Sequence, residues 1–169
     1  MSRRNLAKIQ ELNKDFRPLV LELLQQLEEA FDEAPLITDG NRTLEEQKAL
    51  YAKGRTAPGK IVTWTLNSNH IGGNAIDIGF LDEKGKLTYN VDWDLFGTVV
   101  ASIPGLDWGF AMWGIDKPHV QFNAKTAKSF GKRPKDYKEK MAKAQKEVNR
   151  VRALMAYMKR IAKFFNPRG

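Results

Sequence analysis

The 169-residue sequence contains no cysteine and only two histidines. The absence of cysteine excludes disulfide bonds, thiolate metal ligands and cysteine nucleophiles. Any transition metal must therefore be held by imidazole and carboxylate groups, which are common ligands of zinc. Only His70 and His119 can supply imidazole.

Long apolar runs are also absent. The longest early one is Leu19-Val20-Leu21, whereas a secretory signal needs an apolar segment of about 7 to 15 residues. A membrane-spanning helix needs about 20 mainly apolar residues. The sequence therefore predicts no signal peptide and no transmembrane span, and we expect a protein that is soluble where it is made.

Charge is distributed unevenly along the chain. Residues 125–169 carry 15 Lys or Arg and three acidic residues, a net charge of +12, whereas residues 1–124 have a net charge of −4. Such a basic segment predicts contact with a polyanion, whether nucleic acid, anionic lipid or wall polymer. No recognised nucleic-acid fold signature accompanies the charge, so specific nucleic-acid binding is not predicted.

The first half of the chain has helical and strand signals. Apolar residues recur with the helical period over residues 5–31, where Pro18 should kink or divide the helix. Leu36-Ile37-Thr38 is typical of a short strand. Thr43 and Glu46 form a capping-box pattern for a helix that should end near Lys53.

The second half predicts a sheet that carries polar side chains. Gly54 to Gly73 is typical of an irregular loop, with one strand near residues 61–63. Residues 75–80 and 119–122 alternate apolar and polar side chains, which predicts two half-buried strands around a helix at residues 93–103. We predict an α+β fold with a small antiparallel sheet flanked by helices.

His70, Asp77 and His119 supply a possible zinc ligand set. Catalytic zinc sites use three protein ligands and leave a further position open. Asp77 and His119 occupy comparable polar positions on the two alternating strands. Each residue alone has an ordinary structural alternative: a loop histidine, a turn carboxylate or a satisfied sheet histidine.

Several motifs place these residues in a recognisable context. The segment Ser68-Asn69-His70-Ile71-Gly72-Gly73-Asn74-Ala75-Ile76-Asp77 resembles the S-x-H-x-x-G-x-A-x-D signature of the zinc D-alanyl-D-alanine carboxypeptidase and L-alanyl-D-glutamate endopeptidase superfamily. Asp116-Lys117-Pro118-His119 resembles its D/E-x-x-H element. Further segments resemble phage endolysins of the L-alanyl-D-glutamate type: Gly40-Asn41-Arg42-Thr43, Gln47, Leu50-Tyr51, Gly54-Arg55-Thr56 and Pro58-Gly59-Lys60-Ile61-Val62-Thr63.

The resemblance implies roles for individual residues. His70, Asp77 and His119 would bind Zn²⁺, and Asp116 would act as general base for the attacking water and return the proton to the leaving amine. Arg42 would stabilise the developing oxyanion, a role suited to a permanently charged donor.

Substrate contacts are predicted on the same basis. Ser68 would orient Arg42 or the substrate. Gln47, Tyr51, Trp108 and Trp113 are candidates for the groove, although each is equally compatible with a place in the core or at the rim.

The implied activity is cleavage of the L-Ala-D-Glu bond in peptidoglycan stem peptides during host cell lysis. The alternatives are a D,D-carboxypeptidase or dipeptidase with the same zinc site, and a zinc-containing wall-binding module without catalysis. We expect a monomer that is made in the host bacterial cytoplasm without a signal peptide. It would act on the wall after release across the membrane.

The predicted domains are a zinc peptidase domain, residues 1–130, and a basic helical tail, residues 131–169. Apolar residues between Tyr137 and Phe165 recur at steps of three and four, which predicts one long amphipathic helix. We expect this helix to pack at least partly on the catalytic domain. Its more basic last half, residues 150–163, could bind anionic membrane or wall polymer.

Overall fold

The computed structural model describes residues 2–127, which form helices around an antiparallel sheet. The elements in chain order are α1 (Arg3–Gln10), α2 (Arg17–Ala30), β1 (Ala34–Asp39), α3 (Leu44–Ala52), β2 (Ala75–Leu81), β3 (Leu87–Thr88), α4 (Trp93–Ala101), β4 (Leu106–Trp108), α5 (Gly109–Trp113), β5 (His119–Phe122) and α6 (Ala124–Ala127). The predicted α+β class is confirmed. The predicted helical tail, residues 131–169, lies outside the described residues.

The amino-terminal segment forms two helices, and the break between them precedes Pro18. Pro18 lies in the first turn of α2, where its missing N–H is not needed and its fixed φ suits the helix. Proline therefore begins the second helix. No helix among residues 2–127 is long and apolar enough to cross a membrane.

The sheet has the strand order β1-β2-β5-β4, and β3 pairs with β2. Ile76, Ile78 and Phe80 of β2 are fully buried and belong to the same core cluster as residues of α2 and α4. Burial of each such side chain contributes about 1.5 to 3 kcal/mol. Because side chains alternate along a strand, Asp77 points to the other face of the sheet.

The long connection between α3 and β2 contains no strand, so the strand predicted near residues 61–63 is wrong. Hydrogen bonds from side chains hold this loop in place, and no strand pairing does so. The Gln47 side-chain amide donates to Thr65 O at 2.7 Å and to Thr63 Oγ1 at 3.2 Å. The Arg55 guanidinium donates to Thr63 O at 3.1 Å. Apolar β-branched residues favoured a strand locally, but residues 61–63 pair with no strand of the described sheet.

Candidate metal centre and active site

His70, Asp77 and His119 meet on the face of the sheet opposite the core. Asp77 of β2 lies directly across from His119 of β5 in the antiparallel register. Side chains of such pairs are close neighbours. His70 precedes β2, and its carbonyl oxygen accepts from Arg42 N at 3.0 Å. The sheet register and this turn bring the three side chains together.

The Asp77 carboxylate lies between the two imidazole rings. Asp77 Oδ1 is 3.5 Å from His70 Nε2 and 3.2 Å from His119 Nδ1. One candidate ligand atom from each residue lies within 4.8 Å of the others. Both histidines are buried, and Asp77 is partly exposed. Three donor atoms thus converge on one small volume.

The remaining ring nitrogens have partners that fix the orientation of both rings. His70 Nδ1 is 2.8 Å from Gly40 O, and His119 Nε2 is 3.4 Å from Gln121 Oε1. Both oxygens are acceptors, so these nitrogens would carry the proton when a metal binds the other nitrogen of each ring. His70 Nε2 and His119 Nδ1 face the Asp77 carboxylate, to which they can donate in the metal-free protein, and their lone pairs would be the ones that bind a metal.

This donor set fits zinc. Two imidazoles and one carboxylate are a known set of protein ligands in catalytic zinc sites. Metal-binding histidines commonly donate their second N–H to a carbonyl or carboxylate, and Gly40 O and Gln121 Oε1 stand in position to accept from the two rings. His70, Asp77 and His119 would therefore hold the ion. Bound zinc supplies Lewis-acid polarisation of a carbonyl and acidification of a water molecule.

Asp116 stands beside this cluster at the turn before β5. Its Oδ2 is 4.0 Å from His119 Nδ1, and its φ of 57° lies in the left-handed region. Gly109 permits the close approach of this turn, because a Cβ there would lie 2.8 Å from Asp116 O. Asp116 therefore faces the candidate metal centre without being one of the three clustered ligands.

Arg42, whose backbone N–H donates to His70 O, is held beside the cluster by two side chains. Its guanidinium donates to a carboxylate oxygen of Asp39 and to Oε1 of Gln47. The Arg42 side chain is only 12% exposed. Both partners limit its motion, so its positive charge is presented in a fixed place.

The prediction that Gln47 lines the substrate groove is wrong. Gln47 is fully buried and does not line the cleft described below. Its amide bridges Arg42 to Thr63 and Thr65. The sequence does not predict that the loop after α3 covers Gln47, because this burial depends on tertiary packing.

A cleft of about 390 Å³ opens over the cluster. Ser68 and Trp113 line it, as do Arg42, Asp116 and the three candidate ligands. The remaining lining residues are Val62, Thr63, Trp64, Thr65, Asn67, Asn69, Ile115 and Gln121. The predicted catalytic, metal-binding and substrate-binding residues therefore share one cleft, except Gln47, Tyr51 and Trp108.

Sequence comparison shows similarity to a bacterial endopeptidase. The peptidoglycan L-alanyl-D-glutamate endopeptidase CwlK of Bacillus subtilis (strain 168) is 33% identical over 85 residues, which cover 44% of this chain and 51% of CwlK. The chain thus spans about half the length of the curated relative that it matches. No protein-family model matches the chain.

Solved structures give a second comparison. The Serratia marcescens L-Ala D-Glu endopeptidase ChiX superposes with a TM-score of 0.54 at 18% identity, over 74% of this chain and 90% of ChiX. This chain has the fold of ChiX. The D,D-dipeptidase VanXYg is less similar, with a TM-score of 0.46 at 15% identity over 83% of this chain and 59% of VanXYg. The resemblance to L-alanyl-D-glutamate endopeptidases is confirmed, whereas a phage origin stays a prediction.

The electrostatics of the cluster favour a charged Asp77. Burial opposes ionisation of Asp77, but hydrogen bonds from His119 and His70 outweigh burial and hold its pKa well below the usual range. Burial likewise lowers the pKa of His70, but the Asp77 carboxylate outweighs this and raises it overall. Partial burial, followed by repulsion from Asp77, raises the pKa of Asp116.

Sequence inspection missed several residues of the site. Gln121 lies two residues after His119 on the same strand face, so the alternating pattern contained a signal for it. Asn69 donates to Gln121 Oε1 at 2.6 Å, and no local pattern predicts this pairing. Tyr51 and Trp108 do not line the cleft: Tyr51 stacks under Arg55, and Trp108 donates from Nε1 to Lys117 O at 2.7 Å.

Proposed function

We propose that this protein is a zinc-dependent peptidoglycan endopeptidase that hydrolyses the L-Ala-D-Glu bond of stem peptides. The observation that carries the proposal is the convergence of His70, Asp77 and His119 in a cleft whose walls also hold Asp116 and Arg42. Similarity to CwlK and the fold of ChiX support the choice of substrate.

The side chains divide the chemistry between two walls of the cleft. Asp116 takes a proton from the attacking water while the water oxygen bonds to the scissile carbonyl carbon. The carbonyl oxygen gains negative charge beside Arg42, whose fixed guanidinium stabilises it. When the C–N bond breaks, Asp116 gives its proton to the leaving nitrogen. The products are a carboxylate on L-Ala and an amine on D-Glu.

The raised pKa of Asp116 suits this proton transfer. A carboxylate with an ordinary pKa is a weak base at neutral pH, and catalysis is most efficient when the pKa lies near the working pH. Partial burial of Asp116 and the nearby Asp77 carboxylate move its pKa in that direction.

The biological setting is part of the proposal. The endolysin-like motifs at residues 40–63 support this part of the proposal. It consists of synthesis in the host cytoplasm, action after release across the membrane and a role in lysis. We expect cells that express the protein to remain intact until their membrane is permeabilised. Lysis by catalytically inactive Asp116→Asn protein would contradict an enzymatic cause.

Mass spectrometry of digested peptidoglycan tests the activity and the bond together. We expect a new amino terminus on D-Glu, with L-Ala left on the muramyl side. Chelation should abolish product formation and added Zn²⁺ should restore it, whereas His119→Ala protein should contain less zinc. Release of D-Ala alone would indicate a carboxypeptidase instead, and full activity of metal-free protein would exclude the zinc proposal.

A further inference from the structure

Exposed apolar side chains gather on the walls of the cleft. Among the described residues, two segments carry large apolar side chains that line the cleft and are exposed to solvent. They are Val62, exposed by 58%, and Trp64, exposed by 77%, on one segment, and Trp113 and Ile115 on the other. Apolar surface of this kind, next to polar catalytic groups, is typical of a ligand-binding groove.

The two segments are joined to different members of the cluster: Arg42 pairs with the backbone of His70, whereas Trp113 lies against His119. Gln47 binds Arg42 and also Thr63 and Thr65, so the segment that carries Trp64 is tied to the Arg42 side. Trp113 and Ile115 directly precede Asp116, and the Trp113 ring is 5.3 Å from that of His119. Trp113 therefore belongs to the side of the general base.

This division orients the substrate, if the proposed function is correct. The leaving nitrogen must face Asp116, which protonates it, so the D-Glu half of the substrate lies on the Trp113 side. The amino-terminal half must run away from Asp116, toward Trp64. That half contains one alanine and then the lactyl group of the muramyl sugar. At about 3.5 Å per extended residue, the sugar ring begins about 7 Å from the scissile carbonyl.

Trp64 is held at the rim of the cleft by Arg55. The Arg55 guanidinium carbon lies 5.5 Å from the centre of the Trp64 ring and 3.9 Å from that of Tyr51. Hydrogen bonds to Tyr51 O at 2.6 Å and to Thr63 O at 3.1 Å fix the guanidinium. Arg55 thus supports the indole while most of its surface stays open to a ligand.

We propose that Trp64 forms a subsite for the muramyl sugar on the amino-terminal side of the scissile bond. A pyranose ring has a flat face of C–H groups that matches the apolar face of an indole. The alanine methyl is too small to cover that face. This inference rests on the proposed function and specifies that the preferred substrate is the peptide still attached to its sugar.

The test compares two substrates that differ only in the sugar. One is the N-acetylmuramyl stem peptide, and the other is the same peptide with a simple N-acetyl group. Wild-type protein should have a higher kcat/KM for the muramyl substrate. Trp64→Ala should reduce that preference about tenfold, as expected if the sugar covers roughly 50 Å² of apolar indole surface. Trp64→Phe should keep part of the preference.

Trp113→Ala is the matched control, because it removes an exposed indole that lines the same cleft next to His119. It should lower kcat/KM for both substrates alike and leave their ratio unchanged. Inhibition by the product N-acetylmuramyl-L-alanine should weaken about tenfold in Trp64→Ala and serves as a measurement independent of turnover.

The outcomes separate this inference from the proposed function. Equal rates for both substrates in wild-type protein, or an unchanged ratio in Trp64→Ala, would overturn the sugar subsite while the peptidase activity stands. A wild-type protein that cleaves neither substrate would overturn the proposed function itself.

Discussion

In each histidine of the candidate metal centre, one ring nitrogen faces Asp77 and the other faces an oxygen outside the cluster. That outside oxygen differs between the two rings. Gly40 O accepts from His70 Nδ1, whereas Gln121 Oε1 faces His119 Nε2. The backbone acceptor cannot be removed by mutation, but the amide acceptor can. Gln121 is thus the accessible test of whether ring orientation controls metal binding.

Replacing Gln121 by Leu should weaken zinc binding by about 10- to 100-fold, the range found for loss of such hydrogen-bond partners. The physical reason is that His119 would lose the acceptor that keeps its proton on Nε2. The measurement is competition with a chromophoric chelator, together with the visible spectrum of cobalt-substituted protein. Gln121→Glu keeps an acceptor oxygen and should retain most of the affinity; equal loss in both variants would contradict this role.

Replacing Asp116 by Asn should separate metal binding from turnover. Asparagine tolerates the positive φ of this position, so the turn should persist. The proton acceptor is lost, and kcat should fall by about 10² to 10⁴, as expected for general acid-base catalysis. Metal content measured by mass spectrometry should stay at the wild-type level. A variant that lacks zinc would show that Asp116 is a ligand.

At the scale of elements, α3 positions the arginine side of the site through its first turn. Thr43 is its N-cap, and Thr43 and Glu46 form the capping box that the sequence predicted. Arg42 directly precedes this cap, and Gln47 follows it on the buried face. The capping box therefore fixes the start of α3, where the side chains of Arg42 and Gln47 form their hydrogen bond.

Thr43→Ala should lower the free energy of unfolding by about 0.5 to 2 kcal/mol, the usual contribution of an N-cap. The Thr43 hydroxyl accepts from Glu46 N at 3.1 Å, and alanine leaves this N–H without its partner. Chemical denaturation measures the change. Thr43→Ser keeps the hydroxyl and should be close to wild type, so equal destabilisation by both variants would contradict a capping effect.

The contribution of Glu46 should depend on pH. Its carboxylate accepts from Thr43 N at 2.7 Å and from Thr43 Oγ1, which lowers the pKa of Glu46 below its ordinary value of 4.5. A lowered folded-state pKa means that the stabilisation is present above pH 4.5 and is lost as the pH falls through the folded value.

Thermal unfolding of wild type and Glu46→Ala at several pH values measures this contribution. The difference in Tm should be largest near neutral pH and should shrink in acid. Glu45→Ala is the matched control, since Glu45 is also acidic and in the first turn of α3 but is not the N3 partner of the capping box. A Tm difference for Glu46→Ala that is constant with pH would exclude the carboxylate as its source.

At the scale of the whole molecule, charge separates the chain into two parts. Residues 125–169 carry a net charge of +12, and the preceding 124 residues a net charge of −4. Attraction of exposed charges to a polyanion is screened beyond about 8 Å at physiological ionic strength. Binding through the basic segment should therefore weaken as salt is added.

Truncation after Phe130 should lower binding to whole cells or anionic vesicles far more than it lowers cleavage of soluble stem peptides. Sedimentation with vesicles and peptide turnover measure the two effects on the same preparation. A truncated protein that is insoluble or unfolded would show that the tail belongs to the core. Undiminished cell binding by a folded truncated protein would show that the positive charge has no targeting role.

The sequence by itself determined the local features of this protein. Alternating side chains predicted β2 and β5, the Thr43 and Glu46 pair predicted the start of α3, and the lack of cysteine limited a metal site to histidine and carboxylate. The resemblance of its motifs to those of L-alanyl-D-glutamate endopeptidases then implied roles for His70, Asp77, His119, Asp116 and Arg42. These features depend on near neighbours in the chain, and strand periodicity and capping are properties of a few consecutive residues.

Only the tertiary structure decided which distant residues face each other. The register that pairs Asp77 with His119, the burial of Gln47 under the loop and the bond from Asn69 to Gln121 all join residues far apart in sequence. Local propensity also failed at residues 61–63, because a strand needs a partner edge. The exposed position of Trp64 on the cleft wall also depends on tertiary structure. It follows from how the loop packs, and no short segment of the sequence encodes that packing.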